Sequence, residues 1–257
     1  MPSPIVLDHV AVAVERWGDA WPRFRRDLGG AWVAGGGMAD FDACQLAFAD
    51  LKVEVLAPAG PGFARRFLDA HGPGPHHLTF KVPDLAAAIA EAEAAGYPVV
   101  GGDVDDPMWK EAFLHPKAAH GVVVQLAQAA GGWDAPAPAD LPAPAAAAPA
   151  RLLRVALAVA DPVAAAHLFA GVLRGDEVAD GPGWLDLRWS GGGTVRLLDA
   201  AAYPDVAAWV GDRPGRVHHL AFAVPDPAAV PGAAPAGEGW WEVPPDAAVG
   251  TRLLLTG

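Results

Sequence analysis

The sequence predicts an α+β fold built from a repeated β-α-β-β-β unit, and two observations support this prediction. The phrase GPHHLTFKVP at Gly74–Pro83 returns as VHHLAFAVP at Val217–Pro225. In both phrases an aliphatic side alternates with a side that begins with a histidine, which is typical of a strand with one buried face. Around both phrases the order of one strand, one helix and three further strands begins again, so the chain is organised as an internal repeat.

The first unit starts with an alternating strand at Val6–Val14, in which the even-numbered valines share one face. A helix with apolar residues at helical spacing is predicted over Arg16–Leu28, and it ends at two glycines. The remaining strands predicted in residues 5–128 are Ala31–Val33, Phe41–Phe48, Leu51–Leu56, His77–Val82, Val99–Val100, Glu111–His115 and Val122–Ala127. A short helix or connection at Phe63–Ala70 and a clear helix at Leu85–Ala95 complete two βαβββ units.

Gly131–Ala150 consists almost entirely of Pro, Ala and Gly, and this composition predicts an extended, semi-rigid linker. We therefore expect a first domain at residues 1–130, a linker at 131–150 and a second, degenerate domain at 151–257. The elements predicted for the second domain are strands at Arg151–Val159, Trp184–Trp189, Thr194–Leu198, His218–Val224 and Arg252–Leu255, and a helix at Pro162–Leu173. Its last unit should be truncated, because Pro225–Gly239 is proline-rich where the first domain has a helix.

Composition excludes several classes of protein. The 257 residues are 53% hydrophobic and carry a formal charge of −12, which argues against nucleic acids and anionic membranes as partners. No apolar run approaches the roughly 20 residues that cross a bilayer, and the N-terminus does not read as a signal peptide. The single cysteine, Cys44, fits a reducing compartment and an inert core thiol, so we expect a cytoplasmic protein.

Four strands of the first domain each carry one potential metal ligand on the side away from the aliphatic face. These residues are His9, Glu54, His77 and Gln125. Two imidazoles, a carboxylate and an amide oxygen suit a divalent first-row cation with open positions for water or substrate. Their spacing is not a compact motif, so the site forms only if the sheet curls and brings the first and fourth strands of each unit together.

The phrases DHVAVAV, KVEVLAP, HHLTFKV and FLHPKAAHGVVVQL resemble the vicinal oxygen chelate superfamily, the glyoxalase/bleomycin resistance/dioxygenase-like proteins. Within it, the glyoxalase I and methylmalonyl-CoA epimerase group is the most similar, and the resemblance covers residues 5–128. It implies paired βαβββ modules whose curled mixed sheets form metal-binding cups. It also implies that His9, Glu54, His77 and Gln125 hold one divalent ion of Zn, Ni, Co, Mn or Fe.

Two departures from the epimerase pattern bear on the chemistry. The resemblance places Gln on the second ligand strand and Glu on the fourth, whereas this chain has Glu54 and Gln125. It also places a second catalytic Glu where this chain has Gln45. A Gln side chain accepts no proton in the useful pH range, so two-base epimerisation lacks its pair of carboxylates. The glyoxalase resemblance then implies a double role for Glu54, as ligand and as displaceable base.

The second domain does not repeat this ligand set. Aligning the repeats puts Arg154, Arg196, His219 and Leu254 at the positions of His9, Glu54, His77 and Gln125. Two cations, an imidazole and an apolar side chain cannot chelate a divalent ion. Either this half holds an anion between Arg154 and Arg196 or it is structural, and one metal per chain is expected.

Three further residues are candidates for substrate contact, namely Gln45, Lys117 and Trp109. Lys117 lies in a turn-like HPK phrase, where it either ends a strand or contacts an anionic or thioester-linked substrate tail. Trp109 either forms part of a lid or packs within a surface loop. His76 faces the aliphatic side of its strand and is expected to be structural.

Three functions fit the sequence. The leading hypothesis is a metal-dependent lyase or isomerase of the glyoxalase or epimerase type, which stabilises the enolate of a small carbonyl substrate such as a thioester. The second is a non-haem Fe(II) dioxygenase that uses His9, His77 and Glu54 as two histidines and one carboxylate. The third is a metal-free small-molecule-binding or resistance protein. A monomer and a homodimer both fit the tandem domains.

Overall fold

The computed structural model describes residues 4–131, 135–145 and 148–257, and they form two mixed eight-stranded sheets. The strands of the first sheet are β1 (Val6–Ala13), β2 (Ala31–Gly37), β3 (Phe41–Phe48), β4 (Leu51–Pro58), β5 (Gly74–Lys81), β6 (Val99–Asp103), β7 (Trp109–Leu114) and β8 (Val123–Ala129). Their order in the sheet is β2-β3-β4-β1-β5-β8-β7-β6. Each βαβββ unit contributes four neighbouring strands.

The second sheet repeats this order with the strands of the C-terminal half. Its strands are β9 (Arg151–Val159), β10 (Asp176–Gly181), β11 (Trp184–Arg188), β12 (Thr194–Asp199), β13 (Gly215–Ala223), β14 (Ala234–Gly237), β15 (Trp240–Val243) and β16 (Leu253–Thr256). They run in the order β10-β11-β12-β9-β13-β16-β15-β14. The tandem α+β architecture predicted from the repeat is therefore confirmed.

Helices are few and short, and the first one in each half changes to π-helical geometry. The helices are α1 (Trp17–Ala20), which continues as a π-helix at Trp21–Asp27, α2 (Phe63–His71), α3 (Leu85–Ala94), α4 (Pro162–Ala166), which continues as a π-helix at His167–Val172, and α5 (Pro204–Val210). Asp84 and Asp161 cap α3 and α4, each accepting a hydrogen bond from the backbone N–H three residues later.

The first and fourth strands of every unit are parallel neighbours. In the first unit β1 pairs with β4, and the register sets His9 opposite Lys52 and Ala11 opposite Glu54. In the second unit β5 pairs with β8, and Thr79 stands opposite Gln125. This pairing places residues that are distant in sequence on one face of the sheet, as the candidate ligand set requires.

Internal contacts group the chain into two compact units, and each unit combines segments that are distant in sequence. The first compact unit contains residues 4–8, 77–131 and 154–218. The second contains residues 9–76, 135–145, 148–153 and 219–257. The domain bounds expected at residues 130 and 150 follow the repeats along the sequence, and they stay a prediction.

The buried ring of Phe80 belongs to an aromatic cluster in the first compact unit. Trp189 meets this ring edge to face at a centroid distance of 5.0 Å, and Phe169 lies 6.3 Å away. The indole N–H of Trp189 donates to the carbonyl of Leu173 at 2.6 Å, so this buried polar group is satisfied. Packing between residues of β5 and of the C-terminal half therefore stabilises this unit.

The second compact unit is stabilised by an aromatic contact and by a buried guanidinium. The rings of Phe48 and Phe222 meet edge to face at 5.1 Å. Arg23, only 6% exposed, donates to the carbonyls of Pro231 and Ala247 at 2.8 and 3.1 Å and lies 3.0 Å from a carboxylate oxygen of Asp27. A buried cation with these partners connects the N-terminal helix to the last βαβββ unit.

The predicted linker packs against the N-terminal helix where the structure describes it; residues 132–134 and 146–147 lie outside the described ranges. Arg25 donates to the carbonyl of Pro142 at 2.9 Å, and the indole of Trp32 donates to that of Ala135 at 2.8 Å. A proline-rich segment makes few hydrogen bonds of its own, so its carbonyl groups accept from neighbouring side chains.

The structure adds elements to the C-terminal half that the sequence pattern did not predict. These are the strands β10, β14 and β15 and the helix α5. The last unit keeps all four strands and loses only the helix, which is reduced to a single 3₁₀ turn at Pro227–Ala229. The expected truncation is therefore wrong for the strands, because an edge strand such as β14 tolerates Pro and Gly.

Among the helices in the described part of the chain, none is both long and apolar enough to cross a membrane.

Glycines allow very close backbone contacts at the start of β5 and of β13. Gly121 has a φ of +90°, and a Cβ atom placed on it would lie 1.8 Å from the carbonyl oxygen of Gly215. Gly250 has a φ of +76°, and its Cβ would lie 1.7 Å from the carbonyl oxygen of Pro73. Both contacts leave no room for a side chain.

We predict that Gly121→Ala strongly destabilises the protein, because the new methyl group meets the Gly215 backbone and the backbone also needs a positive φ. The control is Gly96→Ala, since Gly96 has nearly the same φ of +89° but open space around it. The control should cost about 1 to 3 kcal/mol, the usual cost of a left-handed non-glycine residue. Denaturant unfolding measures both, and equal losses would contradict the close-contact explanation.

Candidate metal centre

Three neighbouring strands of the second compact unit bring His9, Gln45 and Glu54 together. Gln45 stands directly opposite Glu54 in the antiparallel β3/β4 pair, and Glu54 stands opposite Ala11 on β1. The amide of Gln45 donates to Glu54 Oε1 at 3.2 Å and lies 3.4 Å from His9 Nδ1. His9 Nε2 lies 3.4 Å from Glu54 Oε2. All three side chains are buried.

His77 on β5 completes a group of possible ligands with His9 and Glu54. One ligand atom from each of the three lies within 4.8 Å of the others. In the part of the chain that the structure describes, this is the only group of three or more His, Cys, Asp or Glu residues with that geometry. Three of the four ligands predicted from the sequence are thus brought together.

The geometry of this group fits a divalent ion. Ligand atoms about 2.1 Å from one ion lie roughly 3.0 to 3.4 Å apart at bond angles of about 90° to 110°. The 3.4 Å between His9 Nε2 and Glu54 Oε2 is already in this range. Two imidazole nitrogens and one carboxylate oxygen also form a donor set that first-row divalent metals accept. The donor types and the distance between His9 and Glu54 therefore fit such an ion.

Gln125, the fourth predicted ligand, is buried on β8 and bonded at both ends of its amide. Its oxygen accepts a hydrogen bond from the hydroxyl of Thr79 on β5. Its nitrogen donates to Glu111 Oε2 on β7 at 2.6 Å. The same carboxylate oxygen accepts from the indole N–H of Trp109 at 2.8 Å.

Glu111 is not among the site residues predicted from the sequence. The alternation of β7 places Trp109, Glu111 and Phe113 on one face, and Phe113 stands directly opposite Gln125. That alternation was visible in the sequence. What it could not show was that β7 lies beside β8, since this neighbour relation depends on the order of strands in the sheet.

Apolar side chains line the same face next to Glu54. Ala11, Ala43 and Leu56 form a buried cluster, and Phe41 and Phe63 pack against it. Cys44, on the other face of β3, is fully buried, and burial raises the pKa of its thiol, with the charge of Glu54 acting in the same direction. The expectation that Cys44 lies in the core is confirmed, and its raised pKa is consistent with an inert thiol.

His76 packs between aromatic rings rather than with the possible ligands. Its ring lies 5.2 Å from that of Phe63 and 4.8 Å from that of Phe67. Burial lowers its pKa to about 4, although the nearby Glu54 acts in the opposite direction. A neutral imidazole in an aromatic environment is consistent with the structural role predicted for it.

The three predicted substrate contacts lie in different surroundings. Gln45 is buried beside Glu54, and Trp109 is half-buried with its indole directed to Glu111. Lys117 is exposed in the turn after β7, and its backbone N–H donates to His115 Nδ1 at 3.2 Å. No feature of the structure tests a substrate contact for any of the three, so these roles stay predictions.

The second sheet has the same register at the corresponding positions but different chemistry. Arg196 stands opposite Ala156 on one neighbouring strand and opposite Asp186 on the other. In the first sheet Glu54 stands in the same way between Ala11 and Gln45. Arg196 forms two hydrogen bonds of 2.7 Å with Asp186 and stacks over the Trp184 ring at 3.9 Å. Arg196 therefore occupies the position of Glu54 with a side chain that has no acceptor atom to ligate a cation.

The comparisons with known proteins agree with the fold. Residues 8–113 match the model of the glyoxalase/bleomycin resistance protein/dioxygenase superfamily. An ethylmalonyl-CoA/methylmalonyl-CoA epimerase from Cereibacter sphaeroides is 32% identical over 132 residues, which are 48% of this chain and 96% of that protein. The chain therefore belongs to the glyoxalase/bleomycin resistance/dioxygenase superfamily.

Two solved structures are similar to the chain. A variant of 4-hydroxymandelate synthase from Streptomyces coelicolor has a TM-score of 0.61 and 18% identity, covering 88% of this chain and 72% of its own, and this likeness shows the fold. A methylmalonyl-CoA epimerase from Mycobacterium tuberculosis has a TM-score of 0.45 and 27% identity, covering 49% of this chain and 89% of its own.

We predict that His76 contributes to loss of stability in acid. Its pKa falls from 6.5 to about 4 on folding, so between these values the unfolded chain binds a proton that the folded protein excludes. The free energy of unfolding should decrease as the pH falls through this range. Urea unfolding at a series of pH values measures the slope, and His76→Phe should flatten it. An unchanged slope in that variant would assign the effect to other groups.

Proposed function

We propose that this protein is a divalent-metal-dependent enzyme of the lyase or isomerase type, which removes a proton next to a carbonyl group of a small substrate. The observation that carries this proposal is the buried group of His9, Glu54 and His77, whose ligand atoms lie within 4.8 Å of one another. The similarity of the chain to an ethylmalonyl-CoA/methylmalonyl-CoA epimerase supports a thioester as the substrate class.

We assign His9, Glu54, His77 and Gln125 as the residues that would hold the metal ion. When bound there, a divalent ion supplies Lewis acidity that stabilises the negative charge of an enolate. The chain supplies two neutral nitrogen donors, one charged oxygen donor and one amide oxygen. A single carboxylate leaves a divalent ion with net positive charge, which favours an anionic product of proton removal.

Glu54 is the residue we assign to proton transfer. Both of its oxygens are engaged, one by the Gln45 amide at 3.2 Å and one near His9 at 3.4 Å, so the carboxylate is fixed in orientation. It is 8% exposed and borders the apolar cluster of Ala11, Ala43 and Leu56. A carboxylate held in one orientation beside an apolar surface can act as a general base toward a substrate placed there.

Gln45 holds Glu54 and cannot exchange a proton itself. Its amide N–H donates to the Glu54 carboxylate. A two-base mechanism needs a second carboxylate at the position of Gln45, and an amide cannot replace it. The chemistry we assign to this site therefore depends on one carboxylate at Glu54, and proton removal and return occur on the same face of the substrate. Exchange of the proton fits that arrangement, and so does an isomerisation in which the single base returns the proton to a neighbouring atom on the same face.

A second candidate function is an Fe(II)-dependent dioxygenase. The specific observation in its favour is the composition of the group, two histidines and one carboxylate, which is the ligand set of many non-haem iron oxygenases. The two candidates differ in a measurable way. Only an oxygenase consumes O₂ with its substrate, whereas proton removal proceeds equally well without oxygen.

We predict that the purified protein binds about one divalent ion per chain and that His77→Ala loses most of it. The matched control is His219→Ala, which alters the corresponding histidine of the second sheet and should leave the metal content unchanged. Elemental analysis of the three proteins gives the result. Absence of metal in the unaltered protein, after supply of Zn²⁺, Co²⁺, Ni²⁺, Mn²⁺ and Fe²⁺, would contradict the proposal and favour a metal-free binding protein.

We predict that Glu54→Gln loses turnover by about 10²-fold or more, the usual contribution of a positioned base, while it retains part of the metal. Methylmalonyl-CoA and ethylmalonyl-CoA serve as substrates, and NMR in D₂O follows exchange of the proton next to the thioester carbonyl, with and without O₂. Gln45→Leu is the companion variant, and it should slow exchange less, since it only loosens Glu54. Full activity in Glu54→Gln would refute its role as the base.

A further inference from the structure

The ligand-bearing face is the face of the first sheet that carries His9, Glu54, His77 and Gln125. It contains two cross-strand pairs, each made of one glutamine and one glutamate. In the second compact unit, the Gln45 amide donates to Glu54 at 3.2 Å. In the first compact unit, the Gln125 amide donates to Glu111 at 2.6 Å. The pairs differ in which member is an assigned ligand. In one pair the carboxylate is the ligand and the amide supports it, and in the other pair the amide is the ligand.

We infer that Glu111 is a positioning residue that fixes the Gln125 side chain with its oxygen, rather than its nitrogen, available to a cation. This inference rests on the proposed metal-dependent function. The two ends of a glutamine amide are similar in shape, but one is an oxygen acceptor and the other is an NH₂ donor.

The amide of Gln125 has one acceptor end and one donor end, and only the oxygen ligates a metal ion. A free glutamine can rotate by 180° and exchange the two ends. Glu111 prevents this rotation, because its carboxylate only accepts hydrogen bonds and faces the NH₂ group at 2.6 Å. The rotated amide would set its oxygen against a negatively charged carboxylate.

The opposite end of the amide then faces β5, the strand that carries His77. Thr79, two residues after His77 on the same face of β5, donates its hydroxyl to the Gln125 oxygen. A carbonyl oxygen has two lone pairs, so one hydrogen bond from Thr79 leaves a second lone pair for a cation. Thr79 and Glu111 therefore specify the same orientation from opposite sides.

Glu111 is itself held in place by further contacts of the first compact unit. The indole N–H of Trp109 donates to the same oxygen that receives the Gln125 amide, at 2.8 Å. The ammonium group of Lys81 lies 5.7 Å from the centre of the Trp109 ring, and it forms an ion pair of 3.0 Å with Asp8. These contacts give Trp109 a role through Glu111, in addition to the substrate contact predicted for it.

The test is a calorimetric titration of the metal-free protein with Co²⁺. We expect Glu111→Gln to weaken Co²⁺ binding by about 10- to 100-fold, the usual effect of removing a partner that orients a ligand. The control Glu93→Gln removes the same charge from an exposed position on α3 and should leave the affinity unchanged. Trp109→Phe keeps the ring but removes the N–H, and should weaken binding less than Glu111→Gln.

A double variant separates positioning from a simple effect of charge. If Glu111 acts through Gln125, adding Glu111→Gln to Gln125→Leu causes no further loss of Co²⁺ affinity. Equal losses from Glu111→Gln in both backgrounds would overturn the inference, because the charge would then act directly on the ion.

A second readout needs no metal at all. In the ¹H–¹⁵N spectrum of the metal-free protein, one side-chain NH₂ proton of Gln125 should have a shifted resonance and exchange slowly with solvent, because it is hydrogen-bonded to a carboxylate. Glu111→Gln should remove both effects. An unperturbed NH₂ group in the unaltered protein would overturn the inference, as would unchanged Co²⁺ affinity in a folded Glu111→Gln protein. Failure of the unaltered protein to bind Co²⁺ or any other divalent ion would instead overturn the proposed function, and this inference with it.

Discussion

The parallel pairing of the first and fourth strands within each βαβββ unit is the constraint on which the candidate site depends. This pairing sets Ala11 beside Glu54 and Thr79 beside Gln125, although more than 40 residues separate the members of each pair along the chain. A slip of one residue in either pair would turn the polar side chain to the aliphatic face and remove it from the site. The site is therefore as well defined as the register, and the register is fixed by the fully buried valines of β1 and β4.

The two sheets show how one backbone arrangement supports different chemistry. At the position of Glu54 the second sheet has Arg196, and at the position of Gln45 it has Asp186. The resulting ion pair satisfies its own charges through two short hydrogen bonds. In the first sheet the corresponding pair is a carboxylate and a neutral amide, Glu54 and Gln45. The two sheets thus share one strand order while their facing side chains at these positions differ in charge.

Polar groups on the ligand-bearing face are arranged in short chains of contacts that limit their freedom. Glu54 is held by Gln45 and His9, and Gln125 is held by Thr79 and Glu111. Buried side chains of this kind lose rotamer freedom when the protein folds, not when a ligand arrives. Three strands, β3, β5 and β7, each contribute a supporting residue that is not itself an assigned ligand or base, namely Gln45, Thr79 and Glu111. Such preorganisation lowers the cost of binding an ion.

The sequence by itself determined the repeat, the alternation of each strand and therefore the face on which His9, Glu54 and His77 lie, because period-two patterning is a local property of the chain. The alignment of the repeats also showed arginine in the second half at the positions of two predicted ligands, which is a property of the sequence alone. Only the tertiary structure decided that Glu111 meets Gln125, that the proline-rich segment packs on the first helix, and that β10, β14 and β15 complete the second sheet. These features depend on which strands are neighbours and on contacts between distant segments, and a local pattern of hydrophobic and polar residues carries no information about either.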